Sequence, residues 1–158
     1  MSKENYRKAA ELMKQNKDKC HFVGPRPDPL IEIAERKLNL HFIGFYKDFL
    51  QHFGAGNFYS QEIYGIIDED FENSSVPDAI WYTITEREEI SLPTRLLVIY
   101  DTNIGELYCV DFNTASQFEE PKIVSYITGI DNNMQKYEVV SNDFGDFLYE
   151  LVKGEFNI

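Results

Sequence analysis

Leu96-Leu97-Val98-Ile99-Tyr100-Asp101-Thr102-Asn103-Ile104-Gly105-Glu106-Leu107-Tyr108-Cys109-Val110-Asp111-Phe112 is the stretch that decides the fold. Leu96–Tyr100 is apolar throughout, the pattern of a central strand covered on both faces. Asp101–Gly105 has the composition of a turn, and Glu106–Phe112 returns as a second strand. Ile123–Ile127 reads as a third strand and Tyr137–Val140 as a short edge strand. This is an antiparallel meander. Upstream the apolar residues change to helical spacing, and they do so again at the C-terminal end. Helices first, a meander next and a closing helix define an α+β chain.

The helical segments carry their own punctuation. Ser2 is placed to cap a helix running to about Asn16, with Tyr6, Ala9, Ala10 and Met13 on one side. Val23–Pro27 is a loop. Asp28 followed by Pro29 starts a second helix, with Leu30, Ala34 and Leu38 on one face. A third is expected from about Gly44 to Phe53, with Phe45, Phe49, Leu50 and Phe53 inward and Gly54 as its left-handed stop. A strand near Phe58–Ile67 follows the Gly54–Asn57 turn. Ser75 and Pro77 begin a fourth helix, with Ile80 and Ile84 on its apolar side. Ser141 or Asn142 caps the last helix, where Phe144, Phe147, Leu148 and Leu151 share a face and Gly154 ends it. Residues 1–22 read as an N-terminal helical extension and residues 23–158 as the main domain, together one compact unit.

Charge is split unevenly. Residues 1–60 hold 10 Lys/Arg against 7 Asp/Glu, whereas residues 61–158 hold 5 against 20. The second part therefore repels nucleic acid and anionic membranes and attracts basic proteins over a long range. Lys3, Lys8, Lys14, Lys17 and Lys19 are spread around the first helix and read as solubilising charge. No apolar run approaches the roughly 20 residues of a membrane helix. The polar N-terminus has no signal-peptide pattern, and Cys20 and Cys109 fit reduced thiols, so the expected location is cytoplasmic. Spacing alone leaves a disulfide between them open.

The catalytic inventory is poor. His21, His41 and His52 have no metal-ligand spacing, and neither phosphate-binding glycine loops nor a nucleophile elbow occur. Asp68–Glu72 lacks the glycine and the terminal glutamate of a calcium loop. No catalytic residue, metal or cofactor is expected. Two acidic features suit a basic partner instead. One is the loop with Asp68, Glu69, Asp70 and Glu72. The other is the helical stripe Asp78, Tyr82, Glu86 and Glu89, where a tyrosine among carboxylates can anchor and pair with Arg or Lys. Glu119-Glu120 adds an exposed acidic pair.

Ile31-x-x-Ala34-Glu35-x-x-Leu38-x-Leu40, followed by Phe42-Ile43-x-x-Tyr46-x-x-Phe49-Leu50 and Gly54-Ala55-Gly56, resembles the N-terminal signature of the SUKH superfamily, the fungal cell-wall-regulator-like proteins. Leu96–Tyr100, Gly105 and Tyr108-Cys109-Val110-Asp111 are similar to its central hairpin. Phe144-Gly145-Asp146-Phe147-Leu148-x-x-Leu151 is similar to its closing helix. The chain departs from the pattern at Ile43, where proline is usual, and at Ala55 within the glycine pair. The resemblance implies a SUKH-like single domain and a cytoplasmic immunity protein. Such proteins bind a cognate polymorphic toxin, often a nuclease of an LXG-type or contact-dependent system, and perform no chemistry of their own. The implied partner is a basic C-terminal toxin domain, an RNase or DNase. The competing expectation is a regulatory interaction scaffold, as in fungal relatives; nucleic acid and membrane are not expected partners.

Overall fold

A computed structural model describes residues 2–156 as five α-helices and two antiparallel sheets. Helix α1 (Ser2–Gln15) leads into β1 (Cys20–Phe22), α2 (Asp28–Leu38) and α3 (Gly44–His52). The hairpin β2 (Gly56–Phe58) and β3 (Gln61–Ile63) follows, then α4 (Ala79–Ile90). Strands β4 (Leu96–Asp101), β5 (Glu106–Asp111), β6 (Lys122–Ile127) and β7 (Val139–Ser141) come next, and α5 (Phe144–Phe156) closes the chain. The meander is present, with order β4-β5-β6-β7, and a second sheet has order β1-β2-β3.

One core joins all of this. Tyr6, Ala9 and Met13 of α1 are buried with Phe144, Phe147, Leu148 and Val152 of α5. Gly145 lets the two helices approach closely, since a Cβ there would lie a tight 3.0 Å from the Ser2 carbonyl oxygen and the Tyr6 Cβ. Asp146 ties the two helices at their starts, accepting from Ser2 Oγ and Asn5 Nδ2, each at 3.0 Å. The segment expected as an extension before residue 23 thus lies in the common core, and its β1 pairs with β2.

The Ala34-Glu35 pair has a plain physical role. Ala34 is fully buried against the core, while the Glu35 carboxylate accepts the Phe42 N–H at 2.7 Å and meets His41 Nδ1 at 2.9 Å. That fixes the link between α2 and α3. Tyr46 points inward from α3 and donates to the Tyr64 carbonyl at 2.9 Å. Phe45, expected inward, is only half-buried and stacks on Tyr6 with ring centroids 5.1 Å apart. Gly54 takes φ +78°, as a left-handed stop requires.

Several expected boundaries move. The single strand near Phe58–Ile67 is instead a hairpin that turns at Tyr59 and Ser60, with Phe58 opposite Gln61. Leu96–Tyr100 is a sheet edge rather than its centre, yet Leu96–Ile99 are buried as a central strand would be. Its outer side is closed by other elements: Ile99 accepts the Tyr64 N–H at 2.9 Å, and the Val98 N–H reaches Thr83 Oγ1 of α4 at 3.0 Å. Pro27 caps α2, so Asp28 is its first residue and Pro29 its second. Asp143, not Ser141 or Asn142, caps α5 by accepting the Asp146 N–H at 2.9 Å, since Ser141 still belongs to β7. Gly154 lies inside α5, which continues to Phe156.

A backbone crossing seats α4. The Gly65 N–H donates to the Pro77 carbonyl at 2.9 Å, the Ala79 N–H to the Gly65 carbonyl at 2.8 Å, and the Ile66 N–H to the Gly54 carbonyl at 3.1 Å. A Cβ on Gly65 would lie 1.8 Å from the Gly54 carbonyl oxygen, so only glycine lets these segments pass. Among the described residues no helix is long and apolar enough to cross a membrane.

Candidate functional site

The acidic loop is exposed and built around its own carboxylates. Asp68 accepts the Asp70 N–H at 2.9 Å, and Asp70 accepts the N–H groups of Glu72 (3.3 Å) and Asn73 (3.0 Å). These bonds hold the Asp70 carboxyl below its usual range. Glu72 reaches Lys37 of α2 at 3.8 Å, and Phe71 is buried beneath the loop. Asp68, Glu69, Asp70 and Glu72 all face solvent.

The expected stripe on α4 divides. Asp78 is fully buried and caps the helix, its Oδ1 accepting the N–H of Ile80 at 2.9 Å and of Trp81 at 3.0 Å. It cannot face a partner. Periodicity placed it on the stripe because the helix was expected to begin before it. Burial pushes its carboxyl up. Tyr82, Glu86 and Glu89 follow at helical spacing on α4, the first two half-buried and Glu89 exposed. Tyr82 is half-buried, packs its ring 5.3 Å from Tyr64, and donates its hydroxyl to Asp101 Oδ2 at 3.1 Å.

Asp101 is the residue that the sequence reading passed over. It ends β4, and the stretch Asp101–Gly105 was read only as a turn. The fold brings it beside α4, where its field acts on Glu86. Glu86 is half-buried and its carboxyl is raised, first by burial, then by Glu89 and Asp101. Among the described residues no Lys, Arg or His forms an ion pair with Glu86, Glu89 or Asp101. Arg87 turns away and donates to the Thr94 carbonyl at 2.9 Å. This face is thus a half-buried aromatic bordered by three unneutralised carboxylates.

Elsewhere the chemistry is sparse. His41 meets Glu35, His52 lies on Asp48 of its own helix, and His21 is exposed. Among the described residues no three His, Cys, Asp or Glu side chains converge to hold a metal ion. Cys20 and Cys109 are free thiols, and burial pushes the Cys109 thiol far up, which makes it inert. Glu120, expected to be exposed, instead tops α3, accepting the Phe45 N–H at 3.1 Å.

The arrangement is that of an α+β module whose most developed polar surface suits recognition of a cation. The chain belongs to the SUKH_5 family, described as SMI1-KNR4 cell-wall, whose model matches residues 7–153. Membership is consistent with an immunity or protein-interaction module. No curated protein matches the chain.

Proposed function

We propose that this protein is an immunity protein that binds and neutralises a cognate toxin domain, a nuclease of an LXG-type system, by occluding its cationic cleft in the cytoplasm. A nuclease must present Lys and Arg to phosphate, so an acidic protein can cover the same surface. The observation that carries this reading is Glu86. It is half-buried beside Glu89 and Asp101 without a cation among the described residues. A partner's guanidinium placed there relieves that repulsion, and Tyr82 with Trp81 offers the apolar contact that slows release. The acidic loop adds long-range attraction. No turnover by this chain is involved.

Co-expression with a toxin domain, taken from any toxin gene that adjoins its own, tests the reading, scored by cell survival. Rescue that disappears with Glu86→Lys/Glu89→Lys supports it. Rescue that persists when binding has been abolished overturns it. A chain that binds no toxin domain reverts to the scaffold reading.

A further inference from the structure

A groove of about 780 Å³ runs between α1 and α3, away from the residues of the α4 face. Its floor is the stacked pair Tyr6 and Phe45, with Ala10 and Phe53 beside them. Its acids are already engaged. Asp48 accepts the Tyr6 hydroxyl at 2.6 Å, Glu120 accepts the Phe45 N–H at 3.1 Å, and Glu4 lies 3.5 Å from Lys8. The cations Lys3 and Lys14 on its rim meet no carboxylate among the described residues. The groove therefore suits an apolar side chain with an acidic neighbour.

The chain carries such a pair next to the groove. Phe118 is 88% exposed, and exposed Glu119 follows it. The backbone that carries the ring forms a hydrogen-bonded turn. The Ser116 N–H donates to the Glu119 carbonyl at 3.0 Å, while Ser116 Oγ accepts from the N–H of Phe118 at 3.3 Å and of Glu119 at 3.1 Å. Buried Pro121 and the docked Glu120 pin the far end of the turn. A large aromatic left in water on a hydrogen-bonded turn is available as an anchor. Phe45 and Glu120 border both the groove and the hollow that contains Phe118, so knob and hole lie side by side. That is the layout of a self-complementary two-fold contact.

We infer that two copies of this chain associate about a two-fold axis, the Phe118 ring of each entering the α1–α3 groove of the other and Glu119 facing Lys3 and Lys14. The α4 face shares no residue with this contact, so the inference stands apart from the toxin reading.

Sedimentation equilibrium of the full chain at physiological ionic strength tests it. The expected mass rises with concentration to twice that of the monomer. Phe118→Ala weakens the association roughly 30-fold and, at concentrations where the chain is monomeric, leaves the melting temperature unchanged, because the ring is 88% exposed in its own chain. Lys14→Glu weakens it roughly 10-fold from the groove side. A monomer at every concentration overturns the inference, as does a dimer that Phe118→Ala leaves intact.

Discussion

In the loop from Asp68 to Glu72, one carboxylate receives two backbone N–H groups and another reaches Lys37, whereas on α4 Glu86 and Glu89 meet no cation among the described residues. Both regions project negative potential. Only the second can surrender its charge to a partner without breaking bonds already made. The contrast teaches that counting acids locates a field, but the partners of each acid decide where a contact gains energy. The loop organises itself over buried Phe71; the helix face keeps its mutual repulsion in reserve.

The contrast breaks most severely at Phe71. Truncation to alanine removes the apolar post under the loop and costs about 3 kcal/mol of folding stability, read by urea unfolding. Next comes charge reversal. With a purified basic toxin domain at low salt, Glu86→Lys/Glu89→Lys slows association roughly 100-fold and also speeds dissociation roughly 10-fold. Asp68→Lys/Glu69→Lys slows association roughly 10-fold and leaves dissociation unchanged. Stopped-flow and surface-binding kinetics separate the two; equal dissociation rates for both variants sink the distinction. Asp78→Ala removes the cap of α4 and lowers stability by about 1–2 kcal/mol, while Asp78→Asn, which keeps an accepting oxygen, loses less.

The smallest effect has opposite signs in the two regions. The Glu86 carboxyl is raised on folding, so its ionisation opposes the fold, and that penalty fades as pH falls below the raised value. Glu86→Gln therefore stabilises at neutral pH by a few tenths of a kcal/mol, given its partial exposure, and the gain disappears in acid. The Asp70 carboxyl is lowered, so its contribution is present above the unfolded value and is lost as pH falls through the folded one. Asp70→Asn destabilises at neutral pH. Melting temperatures across the acid range for both variants show whether the signs differ.

Long apolar runs were readable from the chain. The meander from Leu96 to Ile127 and the closing helix followed from patterns spanning six or more residues. Strands β1, β2 and β3 hold three residues each, too few for a period to emerge, and the pairing of β1 with β2 joins residues nearly forty positions apart. Caps were legible by type and misplaced by position. Asp78 looked like a stripe residue because an Asp at a helix start and one a turn inside differ only in where the helix begins. The Glu86, Glu89 and Tyr82 positions were legible from helical spacing. Asp101 was not, because its place beside α4 is a product of tertiary packing, as is the docking of Glu120 on α3.

The crossing at Gly65 separates what this lineage can change from what it must keep. A methyl group there would part the segments that seat α4, so residue 65 is frozen by geometry. The exposed carboxylates of the same helix, Glu88 and Glu89, carry no such burden. On the proposed immunity reading, a toxin that alters its cleft is answered by changes at Glu86 and Glu89, and the frame that carries them stands still.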